Sequence, residues 1–327
     1  RNGGSRMRGR LLGAVVALAM IAWTGGAAAF PDRQIRLIVP YGPGGITDIT
    51  ARIIAPRLGE ELGVQVIVDN RPGGAAMLGF GMTARAPADG HTIVLATTAL
   101  AANPVLFRNI PYDARTDFAP VGMVGVVPML LVVPVSSPVT TLQEFVALVR
   151  ARGGEHQFGT AGNGSGNHLA TELFLHSAGL RAVHVPYRGG GQVMTDLVAG
   201  RVGFVFAVLP TARPFVLDGR LRGVAVTGLR RSAALPDVPT VSETLLPGFA
   251  VHEWLGLFGP AGVPAPVVAR LNAALQATLT HRDTAERLAG IGVETAGGTP
   301  AALGAHLATE LDRWAELARH VRFEVAE

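Results

Sequence analysis

The sequence predicts an α/β protein of two lobes, each a mainly parallel sheet flanked by helices, with a ligand cleft between them. Three observations predict it. Short Val- and Ile-rich runs alternate with helical patterns along most of the chain, the order of strands joined by crossover helices. The strand-like runs are continuously apolar, as strands covered on both faces must be. Glycine-rich turns follow two of them, "VPYGPGGITD" at 39–48 and "VPYRGGG" at 185–191, and such sheets bind ligands at the carboxyl ends of their strands.

The first element is not part of the fold. Arg6, Arg8 and Arg10 precede an apolar run over 11–23, and Ala27, Ala28 and Ala29 close it. That is the layout of a secretory leader cut after Ala29, with Met7 as the start and 1–6 as an upstream extension. The run of 13 residues is too short for a membrane span, which needs roughly 20. Strands are then expected at 34–39, 64–68, 92–96, 126–133, 156–160, 182–185, 203–208 and 223–227. Helices are expected at 47–62, 75–86, 141–152, 167–178 and 192–199. The tail adds helices at 264–280 and 300–319 and one strand-like run at 255–258. Ile46, Ile49, Ile53 and Leu58 keep a helical spacing in the first helix, where Pro56 predicts a kink or a tightened turn. A tail with so little strand must pack on an existing sheet, most simply the first. The first lobe is therefore 30–130 plus 254–327, the second is 131–253, and two crossing strands near 130 and 253 form a hinge.

Composition narrows the function. All 28 basic residues are arginines, against 24 acids. The leader holds four of them and no acid, so the remaining 298 residues carry 24 of each sign. Such a chain lacks the concentrated basic surface that nucleic-acid binding needs. Cysteine is absent, which excludes disulfides, thiolate metal sites and cysteine nucleophiles. The core alone holds the fold, and 49% hydrophobic content suffices for two domains.

Glycine after a strand lets backbone approach a ligand, and the next helix offers free N–H groups and a partial positive charge. Gly42, Gly44 and Gly45 form such a loop, with Thr47 or Asp48 as a cap. In "GTAGNGSGNHL", 159–169, Gly162, Gly164 and Gly166 precede a helix, with Asn163, Ser165 and Asn167 as neutral donors. One loop alone reads as a tight turn without ligand. Several uncharged donor loops in one chain point to a small carboxylate. A chain without lysine has no Walker loop, and "GPGGIT" is not a dinucleotide fingerprint. Ser165 with His168 raises a secreted serine hydrolase as the alternative. Its nucleophile elbow would need glycine where Asn163 and Asn167 stand. Scattered histidines without His-Glu-x-x-His suggest no metal, and no cofactor is expected.

"FPDRQIRLIVPYGPGGITDITARIIAPRLGEELGVQVIVDNRPGG" resembles the start of the Bug-type solute receptors, the extracytoplasmic binding proteins of tripartite tricarboxylate transporters. The likeness runs in order through "APADGHTIVLATT", "FGTAGNGSGNHLATELF" and "VHVPYRGGGQVMTDLVAGRV" to "GLFGPAGVPAPVVARLNAAL". It implies a periplasmic, non-enzymatic receptor that closes on a small carboxylate. Its partner would be the membrane subunits of a secondary transporter or a membrane sensor, or it would stand alone as an orphan carrier. Carried over residue by residue, the contacts are Tyr41, Gly44, Gly45 and Asp48 from one lobe. The other lobe gives Gly162, Asn163, Gly164, Ser165 and His168. Tyr187 ends its strand as Tyr41 does and is a candidate cleft wall, and Thr97 and Thr98 are candidates by position. Ala207 stands where amino-acid-binding members often carry an acid, which argues against an amino-acid ligand. A monomer is expected.

Overall fold

Ile35, Leu37 and Val39 point to one face of the first strand and Ile38 to the other, and all four are fully buried. The computed structural model describes residues 30–162, 165–187 and 190–320. The leader, Asn163, Gly164 and Arg188 lie outside the described residues. β1 (Ile35–Val39) pairs in parallel with β2 (Val66–Asn70) and β3 (Thr92–Thr97). α1 (Ile46–Leu62), α2 (Met77–Ala84) and α3 (Ala99–Leu106) follow these strands in turn. α1 runs through Pro56 as one helix, with that residue exposed.

The long strand β4 (Phe118–Pro134) belongs to both lobes. Phe118 to Pro128 pair with β9 (His252–Pro260), and β10 (Glu294–Gly297) pairs with the same half. From Met129 onward the partners are β7 (Val205–Val208) and β8 (Leu221–Val226). Thr227 clamps the changeover: its N–H donates to the Met129 carbonyl, and its Oγ1 accepts the Met129 N–H, both at 2.9 Å. β5 (Gln157–Thr160) and β6 (Val183–Pro186) pair in parallel, and Phe158 bridges β5 to Phe204, next to β7. The second lobe also holds α4 (Leu142–Ala151), α5 (Gly166–Ser177), α6 (Gly190–Val198), α7 (Leu209–Leu217) and α8 (Val241–Thr244).

The sheets are mixed where the sequence suggested mainly parallel ones. The pairings β1–β2, β1–β3 and β5–β6 are parallel, and every pairing of β4 or β9 is antiparallel. The crossing causes this. β4 leaves the first lobe and β9 returns to it alongside, so the two must run in opposite directions.

The tail packs on the first sheet. α9 (Ala265–Thr280) packs on α1 and β4, α10 (Arg282–Gly290) on α1, and α11 (Pro300–His320) on α3 and β4, burying Trp314. Some elements had no visible pattern. β4 starts well before 126 because Pro120 sits at a register shift, where a strand tolerates proline. α3 and α7 contain Pro104 and Pro214, which read as breakers, and β10 is mostly exposed. Among the described residues no helix is long and apolar enough to cross a membrane.

Candidate ligand-binding site

The chain leaves β1 and must turn quickly into α1. Gly44 makes the turn at φ +86, a conformation that glycine adopts cheaply. Its N–H donates to Asp48 Oδ2 at 2.9 Å. Asp48 is buried, and accepts from Arg52 Nε at 3.0 Å and Asn70 Nδ2 at 2.9 Å. Asn70 also donates to the Tyr41 carbonyl at 3.0 Å. Burial pushes the Asp48 carboxyl up, but the donors outweigh it and hold it below the ordinary carboxylate range. The loop is pinned from beneath.

The second loop is built differently. Gly162 turns the chain after β5 at φ +130. Ser165 is the N-cap residue of α5, yet its hydroxyl caps none of the helix's backbone N–H groups. Oγ stands 2.6 Å from the Gly162 carbonyl and 2.7 Å from Asn167 Oδ1, so its one proton serves these acceptors in turn.

Between the loops lies a cavity of about 420 Å³. Gly45, Ile46 and Thr47 bring the start of α1 to its wall, and Ser165, Gly166 and Asn167 bring the start of α5. Both helix starts hold backbone N–H groups without helical partners. Val193, Met194 and Val205 make the second lobe's side apolar. Ala75 adds a strained backbone: it and Ala76 have φ +50 and +74, held by Asn103 Nδ2 donating to the Ala75 carbonyl at 2.9 Å. Among the described residues, Glu253 of β9 is the single carboxylic side chain on the wall, and no arginine or histidine lines it.

Burial pushes the Glu253 carboxyl up to about 7, and the nearby Glu310 adds to this. Hydrogen bonds from the Thr97 hydroxyl and the Thr98 N–H oppose the shift. The Tyr41 and Thr97 hydroxyls are 2.9 Å apart, and burial followed by the charge of Glu253 pushes the Tyr41 phenol up. Glu253 also reaches the start of α5. A Cβ on Gly166 would collide with Glu253 Oε2, so glycine lets α5 and the acid meet.

Of the residues chosen from sequence, Tyr41, Gly45, Ser165 and Ala207 reach the wall. Gly44 and Asp48 shape the first loop from below, and Gly162 shapes the second. Thr97 and Thr98 stand behind Glu253. His168 is buried with its ring 3.9 Å from that of His184, and burial, then that neighbour, lowers its pKa to about 3. Tyr187 Oη donates to Asp196 Oδ2 at 2.9 Å, and the ring packs at the edge of the second lobe's core. Asn163 and Gly164 lie outside the described residues. Sequence reasoning missed Glu253, whose flanks "VHEWLGLF" read as an apolar strand. The hydrolase alternative finds no support: Asn167 is an amide and no base, and burial lowers the basicity of His168 too far for it to take a proton efficiently.

Residues 50–322 match the model of the Tripartite tricarboxylate transporter family receptor. A protein from Pseudomonas sp. (strain P51), "UPF0065 protein in tcbD-tcbE intergenic region", is 40% identical over 88% of this chain and 86% of its own length. The structure of R. palustris Rpa4515 with adipate is 36% identical, with a TM-score of 0.78 over 89% of this chain and 97% of that one. The periplasmic binding protein BugD is 32% identical, with a TM-score of 0.75 over 89% and 98%. The chain therefore belongs to the tripartite tricarboxylate transporter receptor family, and is a solute-binding receptor rather than an enzyme.

Proposed function

We propose that the protein is a periplasmic receptor that closes on a small organic carboxylate and hands it to the membrane subunits of a tripartite tricarboxylate-type transporter. The observation that carries this reading is the cavity itself. Two helix starts, Ser165 and Asn167 border it, and among the described residues no cationic side chain does. Helix starts bind anions through backbone N–H groups and the helix dipole, and the relative solved with adipate supports the ligand class. The leader over 1–29 is removed on export, and the mature chain works as a monomer. Its lobes, 30–130 with 254–327 and 131–253, hinge where β4 changes partners at Met129 and where β9 begins.

Ala207 leaves the β7 side of the cavity without a partner for a ligand ammonium, so succinate is expected to bind more tightly than aspartate. Native mass spectrometry of the purified protein, followed by calorimetry on adipate, succinate, malate, citrate and aspartate, tests the reading. Binding of at least one of the non-amino carboxylates is expected. A co-purifying ligand without a carboxylate, together with no heat from any of the five, would overturn it.

A further inference from the structure

Glu253 is an acid where a receptor for anions should not want one. It stands on the wall of the cavity, against the first turn of α5, where a bound anion would also sit. Among the described residues, the surrounding elements offer it no unengaged counter-charge. β3, β4 and α2, which pack on β9, carry no titratable side chain. The loop after β1 brings the Tyr41 phenol, and α5 brings His168 and Glu172. α11 brings Glu310, His306 and Arg313, but Arg313 is engaged by Glu310 at 2.9 Å and by the Ala250 carbonyl at 3.3 Å. His252, beside Glu253 on its own strand, is held neutral by burial and by Arg313 and His306.

Two carboxylates brought together in a poorly solvated site cannot both stay ionised, and one takes a proton. We propose that Glu253 contacts the bound solute and, carrying a proton taken from bulk solvent, donates a hydrogen bond to one of the solute's carboxylates. The inference rests on the carboxylate reading above and deepens it. The Thr98 N–H and the Thr97 hydroxyl occupy acceptor positions of Glu253, which leaves the acid proton for the cavity side. Tyr41, bonded to Thr97, fixes that hydroxyl from the loop after β1. The solute thus meets backbone N–H groups at the helix starts and one acid proton at the crossing strand.

Binding is then linked to proton uptake. Burial pushes the carboxyl of the free protein up to about 7, so as the pH rises above that range a shrinking fraction is competent to bind. The apparent Kd should rise about tenfold for each pH unit above 7 and be flat below 6. Calorimetry with adipate, and with succinate and malate beside it, at pH 6, 7, 8 and 9 reads this directly. Repeating pH 8 in buffers of different ionisation enthalpy counts the protons, and close to one per solute is expected. In Glu253→Gln the amide donates at every pH, so proton uptake should vanish and the Kd should stop rising above pH 7. At pH 9 the variant should bind at least tenfold more tightly than the wild type. A dicarboxylate bound without proton uptake and with a flat wild-type profile overturns the proposal and leaves the receptor reading intact. Aspartate bound more tightly than succinate, with affinity that grows with pH, also overturns it, since Glu253 would then be an ionised partner for an ammonium. No binding by any carboxylate overturns the parent reading and this one with it.

Discussion

The Asp48 carboxylate accepts the Gly44 N–H at 2.9 Å, so this acid closes the loop at the cavity mouth from beneath. Asp48→Ala would leave that N–H, the Asn70 amide and Arg52 short of an acceptor. The expected loss is about 2–4 kcal/mol of stability, read as a lower urea midpoint at neutral pH. The native carboxyl lies below its ordinary range. Its contribution is therefore complete above about pH 4 and disappears as the pH falls through the lower native value. A variant as stable as the wild type at pH 7 would show that the brace is dispensable.

Gly166 lets the start of α5 meet Glu253 on the crossing strand. Its backbone φ needs no glycine, so Gly166→Ala should fold normally and gain slightly in helix propensity. The new methyl displaces Glu253 Oε2 from the start of α5. Dicarboxylate binding should weaken by about tenfold, the worth of roughly one hydrogen bond. Unchanged affinity in calorimetry would mean that Glu253 can move aside without consequence.

Ala75 holds a left-handed backbone on the cavity wall. Ala75→Gly relieves that conformation, and the greater freedom of glycine in the unfolded chain offsets part of the gain. A net stabilisation of about 0.5 kcal/mol is expected, visible as a small rise in thermal midpoint. A fall would indicate that the methyl packs usefully in the native state.

Burial, followed by charged or titratable neighbours, lowers the pKa of His168 to about 3 and of His252 to about 4. The unfolded chain takes up protons at both near 6.5, before the native protein does. Stability from these sites is thus complete above about pH 7 and declines as the pH falls toward 4. Glu253 and Glu172, raised to about 7 and about 6, act in the opposite direction over part of that range. Two further histidines, His156 and His306, are also shifted down, so the net thermal midpoint should drop by several degrees between pH 6.5 and 4.5. A midpoint that rises across this interval would contradict the balance.

Met129 marks the point where β4 exchanges one set of partners for another, with Thr227 bonded to both its N–H and its carbonyl. Rotation about this point and about the start of β9 would close the lobes on a solute. Small-angle scattering should give a smaller radius of gyration with saturating dicarboxylate. Identical profiles would point to a rigid site.

Much of the fold was written locally. The alternation of apolar runs and helical patterns announced the α/β class, and Gly44, Gly45 and Ser165 marked the helix starts that border the cavity. Such features depend on the φ, ψ and hydrogen bonds of a few adjacent residues, so a short stretch of sequence carries them. Tertiary structure decided the rest. The start of α1 holds Asp48, which the family resemblance nominated as a contact and whose carboxyl Arg52 and Asn70 engage from beneath. Tyr187 repeats the local setting of Tyr41 but turns to Asp196, while Tyr41 finds Thr97 beside the cavity. Glu253 gave no local sign at all. It becomes a wall residue only because β9 returns antiparallel to β4 and brings it against Gly166, far away in the chain, in a place where burial raises its carboxyl to about 7.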